Sequence, residues 1–232
     1  MAGKRARNPA GTTATKPAGQ LPGHRPEQLS EQHPGQSKDR LSLFTIGHST
    51  RPIEEFIELL RANGVRQLID IRTIPKSRRN PQFAAEALAK SLHDAGIDYL
   101  HLKALGGLRH PRADSPNLGW RNASFRGYAD YMQTPEFDAA IERAIELARK
   151  KTTALMCAEA VPWRCHRSLV SDALTVRGIE VKEIIDGSPP KEHKLTPFAS
   201  VQGSRILYQK DSEDKQLSFN AQPLPIESGE SN

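Results

Sequence analysis

The sequence predicts an α/β fold, in which a doubly wound, mostly parallel sheet of about five strands carries helices on both faces. Short apolar runs typical of buried strands alternate with longer segments whose apolar residues recur at helical spacing. Stop signals such as Asn63-Gly64 and Gly178 separate the two kinds of segment. Regular strand–helix alternation is typical of a parallel sheet that is covered on both sides.

The predicted elements follow one another with short connections, apart from one long polar stretch. Strands are expected at 41–46, 67–71, 97–102, 153–157 and 180–185, with a small edge strand at 206–208. Helices are expected at 52–62, 81–95, 126–132, 135–150 and 165–177. Thr50 and Thr134 are the predicted caps of two of these helices, because a proline follows each within the first turn. The polar stretch 103–125 is predicted to be a functional lid or a mobile loop.

Composition divides the chain into three parts. We predict a disordered basic tail at 1–40, a single α/β domain at 41–208 and a disordered acidic tail at 209–232. The net charge of the chain is +6, of which the first tail carries +4 and the last −3. Both tails are too poor in apolar residues to offset the entropy lost on ordering. The basic tail is interpreted as solubilising, or as a loose contact for a polyanion such as nucleic acid.

The compartment is predicted from what the sequence lacks. The basic start, Met1 to Arg7, is not followed by the apolar segment of a secretory signal. No apolar run approaches the ~18 residues of a membrane span. The two cysteines make no disulfide framework. We therefore expect a cytoplasmic protein with no membrane contact, whose protein partners are unknown.

Chemistry-bearing residues follow each predicted strand. Right-handed crossovers bring the carboxyl ends of all parallel strands to one edge of the sheet, which is where ligands bind in open α/β folds. In strand order, that edge would carry His48, Ser49, Asp70, Arg72, His101, Cys157, Glu159 and Asp186. This convergence predicts a functional site.

The stretch from Met156 to Arg167 concentrates the reactive residue types. It holds both cysteines, a glutamate, a histidine, a tryptophan and two arginines. It begins at the end of a predicted strand and ends in a predicted helix. Backbone N–H groups and the helix dipole favour chemistry at such a junction.

An ordered set of short motifs resembles the domain of unknown function 488 family. The resemblance covers roughly residues 43–208 and is carried by the following segments: Thr45-Ile46-Gly47-His48-Ser49, Asp70-Ile71-Arg72 with Pro75 and Ser77, Pro81 and Phe83, Leu105-Gly106-Gly107, Phe125 to Met132, Met156-Cys157-Ala158-Glu159, and Cys165-His166-Arg167. It implies a single bacterial-type cytosolic α/β domain, and it supplies no function. The basic tail is not part of the pattern.

A carboxylate mechanism is the leading hypothesis from the residues. Glu159 would be the catalytic carboxylate, assisted by Asp70 and His48 as acid–base groups. The substrate would be a nucleotide or nucleic acid in a hydrolysis or transfer reaction. Its phosphates and bases would be bound by Ser49, Arg72, Tyr128, Tyr131, Trp163, Arg164, His166 and Arg167. The alternative for Asp70 is a structural pair with Arg72.

Thiol chemistry is a second hypothesis. Cys165 lies at the predicted helix start between arginines, a setting that lowers a thiol pKa. Six residues separate Cys157 from Arg164, whereas phosphatase loops have five, and Pro162 and Trp163 replace small residues there. The alternative is that Cys157 is a small buried strand residue.

Metals and cofactors are not predicted. Cys157, Cys165, His166 and His48 could supply four ligands, but structural zinc sites use pairs two to four residues apart and adjacent ligands such as Cys165 and His166 are rare. The sequence has neither the dinucleotide nor the Walker fingerprint, which argues against NAD and ATP.

A binding module without catalysis is the third hypothesis. The basic loop at 72–79 and the basic tail would contact phosphates. Trp120, Phe125, Trp163 and the two tyrosines would recognise bases. Such a regulator of nucleic acids would need no catalytic carboxylate.

Overall fold

The computed structural model describes residues 40–210, which are organised around a six-stranded sheet. Its strands are β1 (Ser42–Gly47), β2 (Gln67–Asp70), β3 (Asp98–His101), β4 (Thr153–Cys157), β5 (Glu180–Ile184) and β6 (Lys191–Glu192). They lie in the order β3-β2-β4-β1-β5-β6, and only β6 runs antiparallel to its neighbour. The predicted α/β class with a mostly parallel sheet is confirmed, and β6 is an addition to it.

Five α-helices cover the sheet. They are α1 (Ile53–Ala62), α2 (Ala85–Asp94), α3 (Ala123–Tyr131), α4 (Pro135–Lys150) and α5 (Arg167–Thr175). Short 3-10 helices occur at Pro81–Phe83, Lys103–Leu105 and Pro162–Arg164.

Helix starts were predicted with mixed success. The Thr134 side chain accepts a hydrogen bond from the Phe137 backbone N–H, which confirms this cap. The Thr50 cap is wrong, because Pro52 has extended backbone angles, takes the N-cap position itself and offers no side-chain acceptor. Cys165 is also extended rather than helical, so α5 begins two residues later than predicted.

The direction of each crossover decides which face a helix covers. The chain moves toward β3 through α1 and α2, and their buried side chains pack on one face with Ile46, Leu68 and Met156. It returns through α3, α4 and α5, which pack on the other face with Ile69, Leu155 and Cys157. The alternation along β4 therefore points Cys157 toward α4 and α5, away from Met156.

Two buried carboxylates, Asp130 and Asp172, form hydrogen bonds to segments that lie outside the main sheet. Asp130 of α3 accepts hydrogen bonds from Ser115, Asn117 and the Arg112 backbone, which fixes much of the long polar stretch. Asp172 of α5 accepts hydrogen bonds from the segment after β6 and from the final hairpin, made of β7 (Ala199–Gln202) and β8 (Arg205–Tyr208). This hairpin is separate from the main sheet, so the prediction of an edge strand at 206–208 is wrong in placement.

The two predicted tails lie outside the described residues, apart from a few positions at their inner ends. Within residues 40–210, no helix combines the length and the apolar character needed to cross a bilayer.

Candidate functional site

A cleft of about 700 Å³ opens at the carboxyl edge of the sheet. Because β4 lies between β1 and β2, the loops that follow these three strands open into the same space. Eight of the residues that the sequence analysis proposed for the site line it: His48, Ser49, Arg72, Cys157, Glu159, Arg164, Cys165 and His166. The ends of β1, β2 and β4 therefore converge on one cleft, whereas Asp70, His101 and Asp186 of the predicted set do not line it.

Both cysteines and His166 meet at the floor of the cleft. The Sγ atoms of Cys157 and Cys165 lie 3.9 Å and 3.6 Å from Nδ1 of His166. On the other side of the ring, Nε2 lies 3.2 Å from the backbone carbonyl oxygen of Ile71. A carbonyl can only accept, so the proton belongs on Nε2 and the lone pair of Nδ1 faces the two sulfurs.

The pKa values of the two thiols are shifted in opposite directions. A hydrogen bond from Cys165 lowers the pKa of Cys157 well below its usual value, against the effect of burial. The same hydrogen bond, followed by burial, raises the pKa of Cys165 well above its usual value. The more acidic thiol is thus Cys157, at the strand end, whereas the sequence pointed to Cys165.

Arg167 lies beneath the same sulfurs and is almost completely buried. Its Nη2 donates to the backbone carbonyl of Ala160 at 3.1 Å, while Nε and Nη1 have no partner among the described residues. A buried guanidinium with two unpaired donors favours negative charge nearby, and the two sulfurs are close enough to act on its pKa. It lies below the cleft rather than on its wall, so its effect on a ligand is electrostatic.

Asp70 is fully buried and fully engaged. Its oxygens accept hydrogen bonds from Nε and Nη2 of Arg72, from the Arg72 backbone N–H and from the hydroxyl of Tyr99. Burial, followed by the Asp70 charge, raises the pKa of Tyr99, which keeps this donor protonated. The carboxylate does not line the cleft. We therefore assign Asp70 to the structural pair with Arg72 that the sequence offered as an alternative.

His48 lines the cleft as a neutral ring. Burial lowers its pKa, and the neighbouring Arg72 adds to this effect. Its Nδ1–H donates to the Ser49 carbonyl at 2.8 Å, and its Nε2 accepts from Nη1 of Arg72 at 3.3 Å. The ring stacks on Phe83 with centroids 4.2 Å apart. These contacts use both ring nitrogens, so His48 orients Arg72 rather than acting as a free base.

The wall of the cleft is basic. Lys76, Arg79 and Arg164 are exposed and line the cleft, and none forms an ion pair within residues 40–210. Glu159 is also exposed, and it is the one carboxylate that lines the cleft in the described part of the chain. An anionic ligand would meet three uncommitted cations there.

Three of the aromatic residues predicted to contact a ligand, Tyr128, Tyr131 and Trp163, lie outside the lining of the cleft. Tyr128 is buried, its hydroxyl donates to the Leu105 carbonyl, and its ring packs 5.0 Å from that of His166. Tyr131 donates to the Ala104 carbonyl and is covered by the guanidinium of Arg109, 3.6 Å from the ring centroid. Trp163 is half-buried and is not part of the cleft lining.

Aromatic and apolar surface comes instead from Phe125, which only the binding-module hypothesis assigned to base recognition, and from two residues that no hypothesis singled out. Phe125, Leu108 and Ile74 line the cleft, and the last two are 73 % and 59 % exposed. Phe125 and Leu108 both belong to the long polar stretch, and for Leu108 the length of that stretch was the one sequence signal. The basic loop after β2 supplies Ile74 with Lys76 and Arg79.

Backbone strain is concentrated at the cleft. Ser49 and Leu108, with φ of 50° and 57°, are the non-glycine residues with positive φ among residues 40–210, and both line the cleft. Such conformations cluster at functional sites. A Cβ at Gly107 would lie 2.9 Å from the His166 ring, and one at Gly47 would lie 1.8 Å from the Glu159 carbonyl oxygen. Glycine at these two positions lets the loops close over the sulfurs.

A family model described as "Domain of unknown function DUF488" matches residues 52–174, more than half of the chain. The chain belongs to this family. The DUF488 match includes the loop after β2 and the segment with both cysteines, so it contains most of the cleft. It ends within α5, before the final hairpin. No curated protein and no solved structure matches the chain.

Proposed function

We propose that this DUF488 protein is an enzyme, a hydrolase or transferase, that acts on a phosphate-bearing substrate of the nucleotide or nucleic-acid class. The observation that carries the proposal is the set of uncommitted cations, Lys76, Arg79 and Arg164, on the wall of a 700 Å³ cleft. Exposed cations without carboxylate partners are suited to binding phosphate. The reactive residues at the floor of the same cleft argue for chemistry beyond binding.

The phosphates of the substrate and its base or sugar would contact different parts of the cleft. Phosphates would contact Lys76, Arg79 and Arg164, with the Ser49 hydroxyl beside them. A base or sugar would lie against Phe125, Leu108 and Ile74, which are the apolar residues of the lining.

Glu159 would be the acid–base group, because the second candidate carboxylate, Asp70, is hydrogen-bonded to Arg72 and Tyr99. Asp70, Arg72 and His48 would then position the cleft. This retains Glu159 as the leading catalytic residue and removes the second carboxylate from the mechanism.

The test is a ligand screen by thermal shift with nucleotides, nucleosides and short oligonucleotides. A ligand at 100 times its dissociation constant adds about 2.7 kcal/mol to the free energy of unfolding. Lys76→Gln combined with Arg79→Gln is expected to weaken the best binder at least tenfold. Glu159→Gln is expected to retain binding and to lose turnover.

The matched control carries the same charge change at the opposite end of the sheet. Arg149→Gln combined with Lys150→Gln removes two exposed cations from the end of α4, next to the amino end of β4. It is expected to leave ligand binding unchanged. Equal weakening by both double variants would place the ligand outside the cleft and overturn the proposal.

A thiol-dependent enzyme is the second candidate, and the lowered pKa of Cys157 favours it. Cys157 would be the nucleophile, with the Cys165 thiol and Arg167 stabilising its thiolate. Alkylation of Cys157 near neutral pH, far faster than that of a free thiol and slowed by bound nucleotide, would support it. An inert Cys157 in metal-free protein would eliminate it.

A non-catalytic nucleic-acid regulator is the third candidate, and the exposed Lys76, Arg78 and Arg79 in the basic loop favour it. It requires oligonucleotide binding that weakens steeply with salt and that survives Glu159→Gln, with no turnover of any ligand. Binding that is insensitive to salt would argue against it. In each case we place the protein in the cytoplasm, because its two free thiols suit a reducing compartment.

A further inference from the structure

The three potential metal ligands at the floor of the cleft are already close together. The Sγ atoms of Cys157 and Cys165 and a ring nitrogen of His166 all lie within 4.8 Å of one another. Among the described residues, this is the one group of three or more His, Cys, Asp or Glu side chains with such spacing. Each side chain belongs to the lining of the cleft.

We propose that Cys157, Cys165 and His166 bind a thiophilic divalent cation, Zn²⁺ in the first instance, with the fourth coordination position open to the cleft. The proposal deepens the proposed function, on which its catalytic consequence rests. The binding of the ion itself rests only on the three side chains.

The S···N distances fit a tetrahedral ion. Zn–S bonds of about 2.3 Å and Zn–N bonds of about 2.0–2.1 Å set S···N separations of ~3.5 Å and S···S separations of ~3.8 Å. The two S···N separations here are 3.6 Å and 3.9 Å. The S···S separation is below 4.8 Å, so the two sulfurs would approach each other by at most about 1 Å to complete the geometry.

The histidine already has the proton arrangement of a metal ligand. A ligating imidazole binds the ion through one nitrogen and donates the other N–H to a carbonyl or carboxylate. In His166, Nε2 faces the Ile71 carbonyl and the lone pair of Nδ1 faces the sulfurs. In addition, the Arg167 backbone N–H lies 3.5 Å from Sγ of Cys165 and donates to it.

Sequence spacing argued against this site because Cys165 and His166 are neighbours. The backbone resolves the difficulty. Cys165 is extended (φ −138°, ψ 148°), whereas His166 is helical (φ −54°, ψ −13°). The chain turns between them, so adjacent side chains do not point in opposite directions as they would in a strand.

An open position gives the ion a catalytic use. Three protein ligands with a water in the fourth position are typical of catalytic zinc, which lowers the pKa of the bound water to about 7. Glu159 lies two residues after Cys157 and lines the same cleft, so it could accept the proton of that water. Zinc deaminases also use a non-ligand glutamate two residues after a zinc ligand as their acid–base group. The cations on the wall would hold the substrate phosphate beside the metal.

The experiment is metal binding by the full-length protein without an affinity tag. Metal is removed with a chelator under reducing conditions, and Zn²⁺ is then titrated in competition with a chromophoric chelator. We expect one ion per chain. Cys157→Ser and Cys165→Ser should each weaken binding by more than about 100-fold, beyond the 10–100-fold that loss of an outer-shell partner costs. His93→Gln, which alters a histidine that is 90 % exposed, should change nothing.

Cobalt provides a second readout that does not depend on folding stability. Co²⁺ bound at this site should show the thiolate-to-metal absorption and the intense visible bands of a tetrahedral ion, and both cysteines should resist alkylation. Octahedral cobalt spectra, zinc affinity unchanged in the cysteine variants, or a Cys157–Cys165 disulfide formed in the presence of zinc would overturn the proposal.

The two proposals fail in different ways. Ligand binding to the basic wall is measured with the chelator present, and zinc binding is measured without nucleotide. Loss of nucleotide binding with zinc retained would refute the substrate class only. Failure to bind zinc with nucleotide binding retained would refute the metal site only.

Discussion

Two buried polar clusters of this protein differ in how completely their atoms are paired. Around Asp172, the carboxylate accepts hydrogen bonds from His193, from the Tyr208 hydroxyl and from both the backbone and the hydroxyl of Thr196. The other ring nitrogen of His193 is paired with Glu183. Every group in this cluster has a partner.

The cluster under the cleft is incomplete by comparison. Nδ1 of His166 faces two sulfurs, at distances typical of weak contacts, and Arg167 leaves two buried donors unpaired. Buried polar groups are nearly always satisfied in native proteins, so each exception needs a reason. The closed cluster is expected to stabilise the fold, and the open one to bind something. Four predictions test this difference, in order of decreasing effect.

Asp172→Asn is expected to have the largest effect. It replaces a buried acceptor of four hydrogen bonds and leaves His193 without its main counter-charge. Breaking a buried pair on one side costs about 3–5 kcal/mol. Urea unfolding measures the loss. Asp138→Asn, at an exposed ion pair with Arg177, is the control and should cost less than about 1 kcal/mol. A cost below that of the control would mean that the closed cluster does not hold the fold.

The pH dependence of stability should come next. Burial lowers the pKa of His193, but hydrogen bonds to Asp172 and Glu183 override this effect and raise it to about 9 from an ordinary 6.5. Because the folded pKa is higher, the stabilisation is fully present below pH ~6.5 and is lost as pH rises through about 9. It amounts to about 3 kcal/mol at ~1.4 kcal/mol per unit of pKa.

Unfolding curves between pH 6 and pH 10 would show this loss in the wild type. His193→Gln should be less stable at pH 6 and nearly flat over the same range. His93→Gln, at an exposed histidine, should follow the wild type. A wild-type curve that rises across this range would contradict the assignment.

Tyr99→Phe should have a moderate effect. It removes the hydroxyl that donates to Asp70. Asp70 lies near the cleft, but its carboxylate oxygens are fully paired, as those of Asp172 are. A hydrogen bond to a charged group contributes about 1.5 kcal/mol or slightly more. Chemical denaturation measures the loss, and ligand or zinc affinity should change less than about threefold. A large loss of ligand or zinc affinity with unchanged stability would mean that Asp70 contributes to binding rather than to the stability of the fold.

Arg167→Met should have the smallest effect on stability. It removes a buried cation that lacks a carboxylate partner and keeps most of the side-chain volume, so the desolvation cost of the buried charge is removed with it. We expect a change within about 1 kcal/mol, together with weaker binding of an anionic ligand in the cleft. A cost as large as that of Asp172→Asn would erase the distinction between the two clusters.

The sequence was informative where the pattern of apolar residues alone decides the structure. Strand β4 was predicted at its observed limits, because its five residues are all buried. The strand-end rule also brought His48, Arg72, Cys157 and Glu159 to one edge without any knowledge of strand order. Tertiary pairing decided the rest. Whether Asp70 is free or bound to Arg72 and Tyr99, and whether Tyr128 faces a ligand or the core, depends on contacts between distant segments that no local pattern encodes.

Cys165 and His166 illustrate the same limit on a smaller scale. The helix was predicted to include both, but one residue is extended and the next is helical. That single change in backbone angles decides whether their side chains diverge or meet. Propensity cannot resolve it, because the change lies at the junction between the Pro162–Arg164 turn and α5.

The position of β4 between β1 and β2 also affects how the protein is made. Strands β1 and β2 are not hydrogen-bonded to each other, because β4 lies between them. Strand β4 begins about 100 residues after β1 ends. During synthesis, β1 therefore has no partner strand, and its edges stay available for pairing with other chains, until residues 153–157 have emerged from the ribosome. Such distant pairing also slows folding. A product terminated before β4 would lack the middle of the sheet and would leave the edges of β1 and β2 unpaired.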